Sequence, residues 1–198
     1  MDRRKFLKNV SLGALAFQVL PSRVLGRGGI SPSNKINVAM IGNGNISYWH
    51  RVFFSSSQYT QMLAVCDVDR TRLMKAKEHA QKVIKSRSDG VSNNVDTYAR
   101  YQDVIARDDI DAVCICTPDH WHVAIAMKAI GMGKAVYVEK PMSLTVEEGR
   151  LLSDLVKAKG GILQVGTQQR SEWAFRRAAE LVLNGYIGNV KQIDTQIG

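Results

Sequence analysis

The chain's 198 residues are 45% hydrophobic and 23% charged, enough apolar surface to bury a globular core. Its formal charge of +9 is weighted towards one end, where residues 1–34 hold six basic side chains (Arg3, Arg4, Lys5, Lys8, Arg23 and Arg27) against one acid, Asp2. The remainder intersperses both signs without a long basic block, which argues against a nucleic-acid partner, and three cysteines with no visible framework argue against a disulfide-stapled fold.

At the start, Arg3-Arg4-Lys5-Phe6-Leu7-Lys8 precedes a moderately apolar stretch, 10–20, broken by Ser11, Gly13 and Gln18. A twin arginine followed by such a segment resembles a Tat export signal, and the segment is too short and too mild for a membrane span. The expected location is periplasmic or otherwise exported, with the Tat machinery as a partner and retention at the inner membrane left open. Val24-Leu25-Gly26 offers small residues for cleavage after Gly26, and 27–34, rich in Gly, Ser and Pro, reads as a linker. A basic amphipathic helix is the alternative reading of the same segment.

An apolar run, 36–41, then ends in Gly42-Asn43-Gly44-Asn45-Ile46-Ser47; a helix is expected over 46–56, and a second apolar run, 62–65, ends at Asp67 within a strand expected over 61–68. Strand, Gly-rich turn, helix, strand and acid, in that order, are the layout of a dinucleotide-binding unit. Gly42 permits the tight turn, Gly44 lets the backbone approach a pyrophosphate, and the helix start at Asn45 and Ile46 offers free N–H groups. With Asn43 these are the candidate cofactor contacts. Asp67, 20 residues beyond Ser47, is placed to accept from a ribose hydroxyl. Ser47 departs from the Gly or Ala expected at the third position, and a G-x-G alone is as readily an ordinary turn, so the flanking chain decides. His50, on the same helix, has no visible carboxylate or Cys partner and reads as packing or surface.

Residues 70–85 read as a polar, basic surface helix, 86–94 as a loop, 95–98 as a short strand and 102–106 as a short helix. The stretch 110–116 is nearly all apolar and β-favouring, as a central strand buried on both faces requires, and stops abruptly at Thr117-Pro118. Cys114 and Cys116 share one face of that strand; C-x-C without further ligands is a poor metal motif, so with Cys66 they read as buried thiols and no metal site is expected. A helix over 119–133, a strand over 135–138 ending in Glu139-Lys140-Pro141, and a helix over 143–159 capped by Thr145 with Glu148 follow. A strand over 162–165 then runs into Gln168-Gln169-Arg170.

Such alternation requires an α/β fold with a doubly wound, mostly parallel sheet of the Rossmann type, whose ligands bind beyond the carboxyl ends of the strands. Those ends are 42–47, Asp67, 117–122, 139–141 and 168–170.

Three motifs together, the 42–47 loop with Asp67, Thr117-Pro118-Asp119-His120-Trp121-His122, and Glu139-Lys140-Pro141, give the chain its resemblance to a known family. From about Lys35 onward it resembles the Gfo/Idh/MocA family of nicotinamide-dependent sugar and polyol oxidoreductases, particularly its Tat-exported bacterial members. The pairing of T-P-x-x-x-H with E-K-P is far more specific than the glycine loop. The resemblance implies hydride transfer to NAD from a sugar, polyol or cyclitol. It places Thr117 and Pro118 along the cofactor's phosphate and ribose, His122 near the cofactor in a catalytic role, and Glu139 and Lys140 beside nicotinamide and substrate. Lys140 suits catalysis, since an ammonium can bind a substrate hydroxyl and stabilise a developing alkoxide. A salt-bridged lysine and a packing histidine are the structural alternatives for Lys140 and His122. Arg170 falls where it could contact a sugar hydroxyl or carboxylate. Asp67 favours NAD over NADP because its carboxylate repels a 2′-phosphate; Arg70 keeps NADP open.

The family's second domain is represented here only by its beginning, with a helix expected over 172–183 and a strand over 188–197. The expected organisation is therefore a signal segment and linker at 1–34, an NAD-binding Rossmann domain at 35–167 and a truncated α+β substrate domain at 168–198. No Asp–His pair follows Arg170 to act as base, so weak or no turnover is expected of this chain. Full-length relatives are implied to be homo-oligomeric through the missing domain. Two alternatives stay open: an NAD-dependent glycosidase of the same fold, working by transient oxidation and elimination, and an inactive cofactor-binding fragment.

Overall fold

A computed structural model of the chain describes residues 30–87 and 94–196. The expected export signal, within residues 1–29, lies outside the described residues, as do 88–93 of the polar loop and the last two positions.

Among the described residues there are six strands: β1 (Ile36–Ile41), β2 (Thr60–Cys66), β3 (Asp96–Tyr98), β4 (Ala112–Ile115), β5 (Ala135–Glu139) and β6 (Leu163–Gly166). Parallel strands need long crossovers. Here these contain α1 (Ser47–Ser56), α2 (Arg70–Lys85), α3 (Tyr101–Ile105), α4 (Asp119–Gly131) and α5 (Val146–Lys159), while α6 (Trp173–Leu183) follows the sheet. All neighbouring strands pair in parallel, in the order β3-β2-β1-β4-β5-β6. The winding direction reverses between β1 and β4, the switch point of a doubly wound sheet.

Alternation along β1 divides the core in two. Ala39 and Ile41 join Ile115, Val138, Ile125, Ile130 and Leu152 on one face, where α4 and α5 pack. Met40 joins Val65, Cys114, Leu73, Ala76 and Ala80 on the other, where α2 packs. Cover on both faces is why the strands read as nearly unbroken apolar runs.

Local signals set the helix ends. Asp69 caps α2 by accepting from the Thr71 and Arg72 amides, and Thr145 with Glu148 forms the expected capping box on α5. Gly160 closes α5 in the left-handed conformation, φ +60°.

One expected element does not form: among the described residues, 188–196 contain no strand. A β-favouring run needs a neighbour to complete its ladder, and none lies alongside. The segment before it is equally unsupported, since α6 buries none of its residues and packs on the short 3₁₀ turn Gln168–Ser171. Trp173, Phe175 and Leu183 are left exposed.

The sheet's stability is centred on β4, where Ile115 is fully buried between Ile41 and Val138. Ile115→Ala is expected to lower the unfolding free energy by about 2–5 kcal/mol, read as an earlier midpoint in urea; a shift under about 0.5 kcal/mol would contradict this core.

Candidate functional site

The site begins where β1 stops. The Gly42 amide donates to the Cys66 carbonyl at 2.9 Å, and the Cys116 amide donates to the Ile41 carbonyl at 2.8 Å, so three strand ends converge on one residue. Gly42 has φ +86°, and a Cβ there would stand 2.6 Å from the carbonyl carbon and oxygen of Cys116. Only glycine fits. Beyond it the chain opens outward: nothing lies within 4 Å of where a Cβ on Gly44 would be. The amides of Gly44, Asn45 and Ile46, at the start of α1, donate to no acceptor among the described residues. Unengaged N–H groups at the positive end of a helix form a site suited to phosphate.

Asp67 holds this loop as well as facing the cleft. Its Oδ2 accepts from the Asn43 amide at 2.7 Å and its Oδ1 from the Asp69 amide at 2.9 Å, and the Asn43 side chain donates to the Cys66 carbonyl at 2.9 Å. Each carboxylate oxygen keeps a second lone pair for a ribose hydroxyl.

A cleft of about 530 Å³, within the usual size for a small-molecule site, opens at the carboxyl ends of β1, β2 and β4. Gly42, Asn43, Gly44, Asp67, Thr117 and Pro118 all border it; Asn45 and Ile46 lie beside it without lining it. The Thr117 hydroxyl is buried there without a hydrogen-bond partner among the described residues. Arg72 and Arg100 stand at the cleft, whereas Arg70, which the sequence suggested as the residue admitting NADP, does not. The glycine cradle, the unengaged amides and the orphan hydroxyl fit the diphosphate and ribose of a dinucleotide. A second cavity, of about 470 Å³, lies at the amino ends of β4 to β6 beside Asp111, Gly133 and Gly160.

At the end of β5 the Glu139 carboxylate is 3% exposed. Its Oε1 meets His50 Nε2 at 2.7 Å, and its Oε2 accepts from the Lys140 amide at 3.2 Å. The reading of His50 as a residue without a carboxylate partner is therefore corrected: the crossover from β1 returns His50 to the end of β5, 89 residues away in sequence. Tyr137 completes the cluster, its ring 4.9 Å from that of His50 and its phenol pushed up to about 12 by burial and then by the Glu139 charge. Gly166 lies opposite Glu139 in β6, where a Cβ would stand 2.5 Å from the Tyr137 hydroxyl and 2.8 Å from Glu139 Oε1.

Lys140 itself is exposed, and its ammonium has no ion pair among the described residues. It follows the end of β5 through a cis bond to Pro141, and Arg170 lies exposed in the 3₁₀ turn that follows the neighbouring strand β6. His122 is placed differently. It is 1% exposed, with Nδ1 at 2.6 Å from the Pro141 carbonyl and Nε2 at 2.8 Å from the Thr117 carbonyl. Both ring nitrogens are thus engaged in tying the corner after β4 to the corner after β5.

Beneath the glycine loop lies a group that the sequence reading passed over. Arg51, 7% exposed, donates through Nη1 to Asn43 Oδ1 at 3.1 Å and to Ser47 Oγ at 3.0 Å, and through Nε to His79 Nδ1 at 3.2 Å. Ser47 in turn donates to the Gly44 carbonyl. The i, i+4 spacing of Ser47 and Arg51 on a helix was a visible signal for this contact; the partnerships of His50, Tyr137 and His79 depend on topology alone.

A glycine-kinked phosphate loop at the switch point of a parallel sheet, with an acid ending the next strand, defines a dinucleotide-binding Rossmann domain. Residues 36–167 match the Gfo/Idh/MocA family model, described as an oxidoreductase family with an NAD-binding Rossmann fold, and the chain belongs to that family. It is 33% identical over 164 residues to a glycosyl hydrolase family 109 protein of Shewanella baltica and 32% identical over 164 residues to an α-N-acetylgalactosaminidase of Shewanella oneidensis. Each alignment covers 75% of this chain and 35% of the relative, so the chain spans about a third of the length of these curated relatives. Among solved structures it resembles scyllo-inositol dehydrogenase from Lactobacillus casei with bound NAD(H) and scyllo-inositol, at TM-score 0.65 and 25% identity, over 78% of this chain and 43% of that one.

His79 gives the loop a measurable dependence on pH. Burial, then the Arg51 and Lys82 charges, hold its imidazole below the usual value of about 6.5. In the window between its folded and unfolded values the unfolded chain binds the extra proton, so stability is fully present above about pH 6.5 and declines as pH falls through the folded value. His79→Gln is expected to flatten that decline relative to the parent chain in denaturation midpoints measured at successive pH values; superimposable profiles would contradict it.

Proposed function

We propose that this chain is the cofactor-binding part of an NAD-dependent oxidoreductase acting on a sugar, polyol or cyclitol at a carbon that bears a hydroxyl. The observation that carries the reading is the common sheet edge, where the glycine-loop cleft is followed, one strand beyond β4, by an unpaired Lys140 whose backbone is held by the buried Glu139–His50 pair. NAD, when bound, supplies the hydride acceptor. Gly44, Asn45 and Ile46 hold the diphosphate by their amides, Asp67 accepts from the adenosine ribose, and Thr117 and Pro118 border its path towards β5. Lys140 would donate a hydrogen bond to the oxygen of the reacting hydroxyl and stabilise its developing negative charge while the hydroxyl proton passes to solvent water. Arg170, at the end of the adjacent strand, binds a further hydroxyl or carboxylate of the substrate. NAD is preferred to NADP because Asp67 faces the ribose, with Arg72 and Arg100 as the groups that would admit a 2′-phosphate.

A second reading rests on the 33% identity to a glycosyl hydrolase family 109 protein. Transient oxidation of the hydroxyl-bearing carbon would acidify the neighbouring C–H; its proton would pass to solvent as the aglycone leaves and is protonated to an alcohol, after which water would add to the double bond and the hydride would return to the sugar. In this reading Lys140 keeps its role and the substrate becomes a glycoside. Export by the Tat pathway to the periplasm, supported by Arg3 and Arg4, accords with either chemistry, since a cofactor can be loaded before transport of a folded protein.

Titration of NADH into the purified chain, followed by energy transfer from tryptophan, is expected to saturate; no saturable signal would overturn the cofactor reading. In a protein that joins this segment to a complete substrate domain, NADH formation from inositols or sugars, abolished by Lys140→Ala, supports the dehydrogenase. Release of the aryl group from an aryl N-acetylgalactosaminide, strictly dependent on NAD, supports the glycosidase and displaces the first reading.

A further inference from the structure

Arg51 is a buried charge without a counter-ion. Its three acceptors, Asn43 Oδ1, Ser47 Oγ and His79 Nδ1, are all neutral, and among the described residues it pairs with no carboxylate and its Nη2 makes no hydrogen bond. Burial lowers its pKa, yet an arginine stays protonated under ordinary conditions. Taking a guanidinium out of water without an anion is unfavourable, so such an arrangement is informative.

The direction of the charge follows from its partners. Two of the three belong to the glycine loop, and Ser47 passes the contact on to the Gly44 carbonyl. Arg51 therefore backs the same few residues whose amides, at Gly44, Asn45 and Ile46, donate to no acceptor among the described residues. Ser47 acquires a purpose here: glycine or alanine at this position would pack as closely but would leave Arg51 and the Gly44 carbonyl unlinked. The hydroxyl, fully buried, is both donor and acceptor in this chain of contacts.

We propose that Arg51 is a positioning residue for the diphosphate of the cofactor: through Asn43 and Ser47 it fixes the loop, and its positive charge behind the loop finds its counter-charge in the two phosphates in front. The proposal rests on the cofactor reading above and adds to it a residue outside the glycine motif. It also gives Ser47 and Arg51 a joint role, so that substituting either one removes most of what substituting both removes.

The test separates charge recognition from mere folding by using three ligands on the full chain: adenosine, which has no phosphate, ADP and NADH. Arg51→Met is expected to weaken ADP and NADH by about tenfold or more, the size of one charge-assisted hydrogen bond, while adenosine affinity changes by less than about twofold. Arg51→Lys, which keeps the charge and loses the fork, is expected to recover part of the ADP affinity. Ser47→Ala is expected to weaken ADP in the same sense, and Ser47→Ala with Arg51→Met to be non-additive. Equal losses for adenosine and ADP in folded Arg51→Met, or no loss for NADH, would overturn the proposal. Should Arg51→Met fail to fold, the ADP-to-adenosine ratio in Arg51→Lys and Ser47→Ala decides the matter: a ratio unchanged from the parent in both overturns it. Absence of NADH binding by the parent chain would instead strike the cofactor reading itself.

Discussion

The contact between Gly42 and the Cys116 carbonyl is the constraint on which the site depends. It brings the ends of β1 and β4 into backbone contact at the point where the sheet reverses its winding, and a single added methyl would have to occupy the place of peptide atoms. Because the two strands meet there, the chain after Gly42 must turn out of the sheet and the chain after Cys116 must leave beside it. The cleft is the space between those two departures. Helix α1 then starts beside that space, at the end of the glycine turn that borders it.

Around this backbone geometry the polar groups act as a brace. Asp67 and Asn43 join the loop to the end of β2, Arg51 and Ser47 support it from behind, and His122 ties the corner after β4 to the one after β5. Glu139 extends the brace to His50 and to the Lys140 amide. Each is a buried or half-buried group satisfied by a neighbour from another element, so the parts of the site are fixed relative to one another before any ligand arrives. Lys140 and Arg170, by contrast, remain exposed on that fixed edge.

Much of this was legible in the sequence because it is local. Continuous apolar runs marked the buried strands, Thr145 with Glu148 marked a helix start, and Gly42 to Asp67 marked the cofactor loop. What was illegible has a common cause. His50 and Glu139 are joined only by the topology, and nothing near His50 in sequence announces a carboxylate. Arg51 sits in a helix where a basic residue ordinarily faces solvent, and its burial depends on α1 packing against α2. The 188–196 segment misled for the opposite reason: its composition favours a strand, but strand formation is a property of pairs, and the partner is not beside it. Arg72 rather than Arg70 borders the cleft for a similar reason, since only the placed helix shows which face of its first turn looks inward.

The central claim is that the carboxyl edge at the β1–β4 switch point binds a nicotinamide dinucleotide. Backbone amide resonances followed by NMR during an NADH titration address it most directly. Saturable shifts are expected at Gly44, Asn45, Ile46 and Asp67, with smaller ones at Thr117 and the Lys140 amide. Shifts confined to the opposite end of the sheet, around Gly133 and Gly160, or no saturable shifts at all, would contradict it.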